Sequence, residues 1–505
     1  MIYKTQISAI KKQKLFYSSL AYALTAVIVG LPTTSNAAPG TLWQEPLFIT
    51  NTNAAESNVF FLTDDSRSMD WDMLTLDRER DSRFTANQPD GTNVADAGSV
   101  KHRDDDNDGI ADCDFSSGEG DDSGRYGYMY IVDFDSNILH SETNNCNVAD
   151  DEAWRARNSD FNPLYFDPTK DYAPWGGVDS SGNDYKDYST DADYSLIVPD
   201  DPYIPGDTID LANNSSGRDG DGNFRSSNGF RFYTYNDTDE DGNFDNGEET
   251  GYQIGTLTDA EAATARGEAG YTARMLKGNF ANWFTYHRKR EYVAKYAFST
   301  AIKDMTGIRM GYGTINNNNS NNIEIASMNL DPGTGNKQAL LDKLFLTTSD
   351  NSTPIVDNLD KVGKYFKNAN NSFFGNILGY ADPIVSVDAG GACQLNNTIL
   401  MTDGYYNDGS NNNSLASTAA QYYDNDLRPG NEYAGNQRMN TYTVAFGVEG
   451  SLPANTNVFA DDFNWPDPTA SNAAKIDDLW HAAVNSEGKF YSANDSKELT
   501  AALTL

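Results

Sequence analysis

Histidine and cysteine are scarce in this chain: its 505 residues hold four His and three Cys. That excludes a zinc-rich protein and a dense disulfide scaffold. Basic residues are outnumbered two to one, 37 Lys and Arg against 74 Asp and Glu, for a formal charge of −37. So acidic a surface repels nucleic acid and anionic membrane, and no nucleic-acid partner is expected. The motifs HExxH, GxSxG and GxxxxGK[ST] are absent. Metalloprotease, serine-hydrolase and P-loop readings therefore lack a nucleus, and a non-enzymatic role is expected. Beyond the first 31 residues no apolar run is long enough to span a bilayer. What the chain does have is aromatic surface to bury, 12% of residues, mostly 29 Tyr and 24 Phe, so it is not a disordered acidic tail. Its length suits two or three domains, or one domain with large insertions.

The amino end reads as a secretory signal over residues 1–37. Lys4, Lys11, Lys12 and Lys14 precede an apolar stretch from Leu15 to Leu31, and Ser35-Asn36-Ala37 places small residues at −3 and −1 of a cut before Ala38. No Cys follows that cut, which argues against a lipoprotein. The mature chain is expected to be exported through the periplasm with no transmembrane segment left. Export permits disulfides. Cys113 and Cys146 are near in sequence and lie in a loop-rich region, so that pair is expected, leaving Cys393 as a buried or reactive thiol. The spacing alone does not fix this connectivity.

Short apolar runs at Val59–Leu62, Ile308–Ile315, Thr398–Met401 and Tyr442–Val448 read as strands buried on both faces of a parallel sheet. Between and after them lie helical patterns: a long one over Phe280–Met305, one over Pro354–Ala369 with Ile355, Leu359, Val362 and Phe366 in register, and one over Ile476–Val484. A strand at Lys489–Ser492 and a last helix from Asp495 follow. The alternation predicts an α/β fold with a doubly wound, mostly parallel sheet. Asp77–Lys277 interrupts it far beyond ordinary loop length, and its Asp, Asn, Gly, Ser and Tyr content reads as one long irregular insertion after the first strand, partly ordered by ions. A shorter polar insertion is expected over Gly404–Met439.

Three patterns carry chemistry. Asp64-x-Ser66-x-Ser68 directly follows the first strand, at the edge where open α/β sheets gather ligands. Thr353, before a helix, and Asp403, after the strand Thr398–Met401, could reach the same edge. Together they offer two carboxylates and three hydroxyls, a donor set for a hard cation such as Mg2+ or Ca2+. The second pattern is Asp237-x-Asp239-x-Asp241-Gly242-Asn243-x-Asp245-x-x-Glu248, with acids at positions 1, 3, 5, 9 and 12 and Gly at 6. That is the spacing of an EF-hand calcium loop, here without evident flanking helices. The third, Asp104-x-Asp106-x-Asp108-Gly109-Ile110-x-Asp112, lacks the acid at position 12 and is a weaker calcium loop. Asp219-Gly220-Asp221-Gly222 reads as a tight turn. His287-Arg288-Lys289-Arg290 is the one strongly basic cluster, expected on a helix surface facing acidic neighbours, and His481 is expected to be packed in the core.

The first pattern resembles the metal-ion-dependent adhesion site of von Willebrand factor A domains, with Ser66, Ser68 and Thr353 at the hydroxyl positions and Asp64 and Asp403 at the acidic ones. Longer stretches resemble the PilY-type tip-associated adhesins of type IV pili. They are Asn162-Pro163-Leu164-Tyr165 with Tyr172-x-Pro174-Trp175, Asn282-Trp283-Phe284-Thr285-Tyr286-His287-Arg288, Val362-Gly363-Lys364-Tyr365-Phe366, Thr398–Tyr405, Tyr423–Arg428 and Ile476–Asn485. The resemblance implies a von Willebrand factor A domain that begins over 38–76, is interrupted over 77–277 and resumes over 278–505. It implies a metal-dependent adhesion module at the pilus tip and cell surface, with a part in pilus biogenesis and twitching motility. The implied partners are minor pilins and host or abiotic surface ligands, engaged through an acidic side chain. The alternative is an assembly factor that docks on minor pilins, with adhesion secondary. Members of that family usually continue into a C-terminal β-propeller.

Overall fold

A computed structural model describes residues 55–72, 74, 154, 157–190, 196–204, 206–218, 224–226, 229–238, 247–303, 305–316, 322–328, 336–349, 352–408, 414–430, 433, 435–460, 462–493 and 496–504. All of them lie in the unit Asn53–Leu505. Strand β1 is Ser57–Thr63. Six short strands then pair antiparallel in twos: β2 (Ile197–Pro199) with β3 (Thr208–Asp210), β4 (Asn214–Arg218) with β5 (Phe224–Ser226), and β6 (Arg231–Tyr235) with β7 (Glu249–Gln253). Helices α1 (Asp259–Arg266), α2 (Ala273–His287) and α3 (Arg290–Ile302) lead to β8 (Ile308–Thr314), β9 (Ile323–Ser327), α4 (Asn336–Leu346) and α5 (Ile355–Phe366). The chain then runs through β10 (Asn396–Thr402), α6 (Leu415–Asp424), β11 (Met439–Phe446), α7 (Asn472–Asn485), β12 (Phe490–Ala493) and α8 (Ser496–Thr504).

Six of the strands form one sheet in the order β12-β11-β10-β1-β8-β9. Strand β1 pairs parallel with both β10 and β8, and the antiparallel pairing in this sheet is that of β9 on β8. The order runs outward from β1 in one direction and then from β10 in the other, so the expected α/β sheet is present, and its crossover point lies between β1 and β10. The alternation of side chains explains the continuous apolar runs. Phe61 and Met401 join the core on one face of the sheet; Phe60, Leu62 and Leu400 join the core on the other. Buried polar residues within the strands include Asn58, whose Nδ2 donates to Asn396 Oδ1 at 2.9 Å, and Thr443, whose hydroxyl donates to the Leu479 carbonyl at 2.8 Å.

Four local expectations are corrected. The helix expected over Phe280–Met305 is two helices, broken where Lys289 adopts extended backbone (φ −113°, ψ 154°); the break turns consecutive cations toward separate acids, described below. The stretch Gly404–Met439 contains α6, started by Ser414, whose hydroxyl accepts from the Ser417 N–H. The described part of Asp77–Lys277 is not irregular throughout. Besides its strands and α1, it places Tyr165, Phe166 and Trp175 in the same core as Trp283 and Phe298. His481 is not in the core: Trp465, from the segment before α7, stacks on its ring at 4.4 Å and leaves the side chain 27% exposed. Burial still pushes its pKa down to about 4. Strand β9 and helix α4 carried no signal that the sequence reading used.

Candidate metal centre

The crossover point brings the ends of β1 and β10 side by side, and the Asp64 N–H donates to the Met401 carbonyl at 2.9 Å. After Asp64 the chain enters a short turn, with the Met69 N–H bonded to the Ser66 carbonyl and the Trp71 N–H to that of Ser68. This turn aims both serine hydroxyls back at the sheet edge. Ser66 Oγ and Ser68 Oγ are 3.1 Å apart, and Ser68 Oγ donates to Asp403 Oδ1 at 2.7 Å. Asp64 Oδ1 accepts from the Ser66 N–H at 2.7 Å, and its Oδ2 accepts from Thr402 Oγ1 at 2.5 Å. Asp64, Ser66, Ser68 and Asp403 thus converge, although Asp403 follows the turn by more than three hundred residues.

Thr353 is buried and is brought to this edge through its backbone. Its N–H donates to Asn407 Oδ1 and its carbonyl accepts the Asn407 N–H, four residues beyond Asp403. Next to it, the Ser352 carbonyl accepts from Asn316 Nδ2, and the same amide group donates to Asp65 Oδ1. Asn316, just past β8, therefore links the segment that carries Thr353 to the loop that carries Asp64.

Burial is the main reason the Asp64 carboxyl is pushed up to about 7; the nearby Asp403 charge adds to it, and hydrogen bonds from Ser66 and Thr402 oppose it. Asp65 is also raised by burial. Two carboxylates this close and this dry repel each other, which is the electrostatic demand that a divalent cation meets. The donor set suits such an ion: carboxylate and hydroxyl oxygens, with no sulfur or imidazole. Among the described residues no group of three or more His, Cys, Asp or Glu side chains is placed to hold a metal. An ion here would rest on two carboxylates and on neutral hydroxyls. A Cβ at position 404 would lie 3.5 Å from Ser68 Oγ and 4.0 Å from Asp64 Oδ2, so Gly404 keeps a side chain off the oxygen cluster. The residues present therefore fit a hard divalent cation.

Sequence reasoning missed two supports of this cluster. Thr402 holds Asp64, and its position inside Thr-Asp-Gly was the available signal. Arg290 holds Asp403: its Nη1 donates to Asp403 Oδ2 at 2.8 Å, with both side chains fully buried. The basic cluster is thus corrected from a helix surface to the buried joint of α2 and α3. Arg288 pairs with Asp200 at 2.9 Å and Lys289 with Asp70 at 2.8 Å. His287 is buried beside them, its Nε2 donating to the Ala173 carbonyl, and burial pushes its pKa down to about 4.

The loop from Asp237 to Glu248 joins β6 to β7, so its flanks are strands. The Asn236 N–H donates to the Glu248 carbonyl, and the Thr238 N–H and hydroxyl donate to Glu248 Oε1 at 2.7 and 2.6 Å, which brings the two ends of the loop together. Asp239, Asp241, Asn243 and Asp245 lie outside the described residues, as do Asp104, Asp106, Asp108, Ile110, Asp112, Cys113, Cys146 and 219–222. Cys393 is exposed, with a free thiol.

No family model matches this chain, and no solved structure matches it. Three curated relatives do, each a type IV pilus biogenesis factor PilY1 of Pseudomonas aeruginosa. The protein of strain UCBPP-PA14 is 24% identical over 465 residues, 76% of this chain and 36% of the relative. That of strain PAO1 is 24% identical over 327 residues, 49% of this chain and 28% of the relative. That of strain PAK is 24% identical over 295 residues, 44% of this chain and 25% of the relative. The chain thus spans between 25% and 36% of the length of these relatives. The likeness to PilY-type factors read from the motifs is supported by these matches.

Proposed function

Proceeding from that likeness to type IV pilus biogenesis factors, we propose that this chain is a von Willebrand factor A-like, metal-ion-dependent adhesion module, exported and carried at the tip of a type IV pilus. The observation that carries the reading is the convergence of Asp64, Ser66, Ser68 and Asp403 at the crossover point of the sheet. Mg2+ or Ca2+ would be held by these four and Thr353. A bound ion supplies an electrophilic position for an acidic side chain of a surface or host ligand. The chain's own part is to keep the two carboxylates dry, to fix Asp64 by Thr402 and the Ser66 N–H, and to present neutral hydroxyls beside them. The role is binding, with no reaction catalysed, and it contributes to pilus biogenesis and twitching motility.

The test takes wild type and Asp64→Ala through two measurements: attachment to a surface with Mg2+ or Ca2+ against chelator, and thermal unfolding in chelator. Wild type is expected to attach only with the ion, and Asp64→Ala to fold but not attach. That the relatives are pilus biogenesis factors favours a second reading, an assembly factor that docks on minor pilins. If Asp64→Ala attaches as well as wild type, and deletion of the chain abolishes surface pili, that second reading takes first place.

In the same reading, Ca2+ held by Asp237, Asp239, Asp241, Asn243, Asp245 and Glu248, and more weakly by Asp104, Asp106, Asp108, Ile110 and Asp112, orders the insertion. Calcium is then expected to slow proteolysis within Asp77–Lys277, and Glu248→Gln to remove part of that protection. Cys113 and Cys146 are proposed to pair; non-reducing peptide maps that join either to Cys393 would overturn it.

A further inference from the structure

Arg290 is set in place from several sides. Its backbone N–H donates to the Trp71 carbonyl at 3.0 Å, and its guanidinium lies 5.0 Å from the centre of the Trp71 ring. Its Nη1 reaches Asp403 Oδ2 at 2.8 Å, while the other oxygen of that carboxylate takes the Ser68 hydroxyl. The preceding residue, Lys289, pairs with Asp70 at the end of the turn that carries Ser66 and Ser68. The α2–α3 joint therefore holds both segments that supply the oxygen cluster.

We propose that Arg290 is a built-in counter-charge of the ion site, which takes up one oxygen of Asp403 and so holds the affinity for divalent cations down. The inference rests on the ion-site reading above and adds to it a residue outside the donor set. A guanidinium stays charged at any physiological pH. Side chains with no exposure to water are poorly screened by salt, so its charge acts on the neighbouring cluster more strongly than a surface charge would. Two carboxylates without Arg290 would present a charge of −2 to an entering ion; with Arg290 they present −1. Two consequences follow. The apo site persists without ion, because Asp403 is already compensated. A bound divalent ion keeps a net positive charge, and so keeps its attraction for an incoming carboxylate.

The test is calorimetric titration of Mg2+ into the purified chain at about pH 8, where carboxylates are ordinarily ionised. Wild type, Arg290→Gln, Arg290→Lys and Asp64→Ala are compared. Arg290→Gln is expected to bind Mg2+ about ten-fold more tightly than wild type, as loss of an opposing charge in a dry site requires. Arg290→Lys keeps the charge and is expected to stay close to wild type, a distinction that a purely structural role would not produce. Wild type that binds Mg2+ while Asp64→Ala does not, with Arg290→Gln no tighter than wild type, overturns the counter-charge and leaves the ion site standing. Absence of Mg2+ binding by wild type and by Arg290→Gln alike overturns the ion-site reading, and the inference falls with it. Should Arg290→Gln fail to fold in chelator, its unfolding is followed with added Mg2+: recovery of the fold supports the counter-charge, and no recovery overturns it.

Discussion

The two faces of the central sheet are closed by different means. On one, α5, α6 and α7 pack Leu359, Val362, Leu415 and Leu479, together with the rings of Tyr365, Phe366 and Tyr422, with Phe60, Leu62 and Leu400. On the other, α3 sets Phe298 edge-on against Phe61, and Trp283 of α2 with Tyr165, Phe166 and Trp175 of the long segment after β1 belongs to the same core. The face covered by α5 also takes directed contacts, Tyr406 Oη donating to Asp478 and Tyr422 Oη to Asp360, but its helices α5 and α7 are already marked by apolar periodicity. The face covered by α2 and α3 is tied by directed polar contacts. Trp283 Nε1 donates to the Leu164 carbonyl, Trp175 Nε1 to that of Tyr286, and Tyr165 Oη to that of Arg231. Asn279 and Asn282 each receive one backbone N–H and donate to one carbonyl of the segment that covers them. Such matched contacts let a polar, tyrosine-rich stretch behave as core, since each buried donor or acceptor would otherwise remain costly. The difference bears on the site. The face covered by α2 and α3 contributes the cations that hold Asp70 and Asp403, whereas the face covered by α5 contributes Thr353 just before that helix.

The comparison can be broken first at its most loaded point. Trp283→Ala is expected to cost about 3–5 kcal/mol, from the lost ring and from the Leu164 carbonyl left without its donor. Leu359→Ala, on the opposite face, is expected to cost about 3 kcal/mol by cavity formation alone. Denaturant unfolding of both, read by tryptophan fluorescence and far-UV circular dichroism, tests whether the faces unfold together. Two transitions in Trp283→Ala but one in Leu359→Ala would show that the face covered by α2 and α3 melts separately.

Protonation sharpens the comparison further. His287 is held neutral, its pKa pushed by burial from 6.5 down to about 4. The unfolded chain takes up that proton first as pH falls. The contribution is therefore intact above about 6.5 and is lost between there and about 4, amounting to roughly 3 kcal/mol. His287→Gln should flatten this part of the stability profile relative to wild type, measured as unfolding midpoints from pH to pH. Asp64 has the opposite sign. Its carboxyl is raised to about 7, so the metal-free folded chain keeps the proton over a range where the unfolded chain has lost it, and stability falls as pH rises from about 4 to 7. In chelator, Asp64→Asn is expected to remove that decline and to be the more stable protein at about pH 8. A smaller effect is expected at the exposed start of α1, where Thr258 and Glu261 cap each other. Thr258→Ala should cost about 1 kcal/mol, read as a shifted midpoint with unchanged slope.

The oxygen cluster was legible in part. Asp64, Ser66 and Ser68 stand on one turn after a recognisable strand, so local spacing sufficed to mark them. Asp403 was legible because it ends another such strand. Its contact with Ser68 is not local, however, and neither is the grip of Thr402 on Asp64 or of Arg290 on Asp403. Arg290 lay within a four-residue run that looks like a charged helix surface until the helix break at Lys289 turns consecutive cations in different directions.

The sequence by itself determined most strands of the sheet. Strands buried on both faces carry short continuous apolar runs, and a helix over such a sheet must repeat its apolar residues near every fourth position; both patterns are local, and β1, β8, β10, β11, α5 and α7 were read from them. It also determined which residues could bind a hard cation, because carboxylate and hydroxyl donors are a matter of composition and spacing. Tertiary structure decided which strand lies beside β1, and hence that Asp64 and Asp403 meet. It decided that a segment poor in apolar periodicity joins the core on one face, and that three consecutive cations each meet a different acid. These outcomes depend on pairings between residues far apart in the chain, where a single hydrogen-bond donor finds a single acceptor. Periodicity records how one segment meets an apolar surface, and it holds no record of which distant atom completes a directed bond.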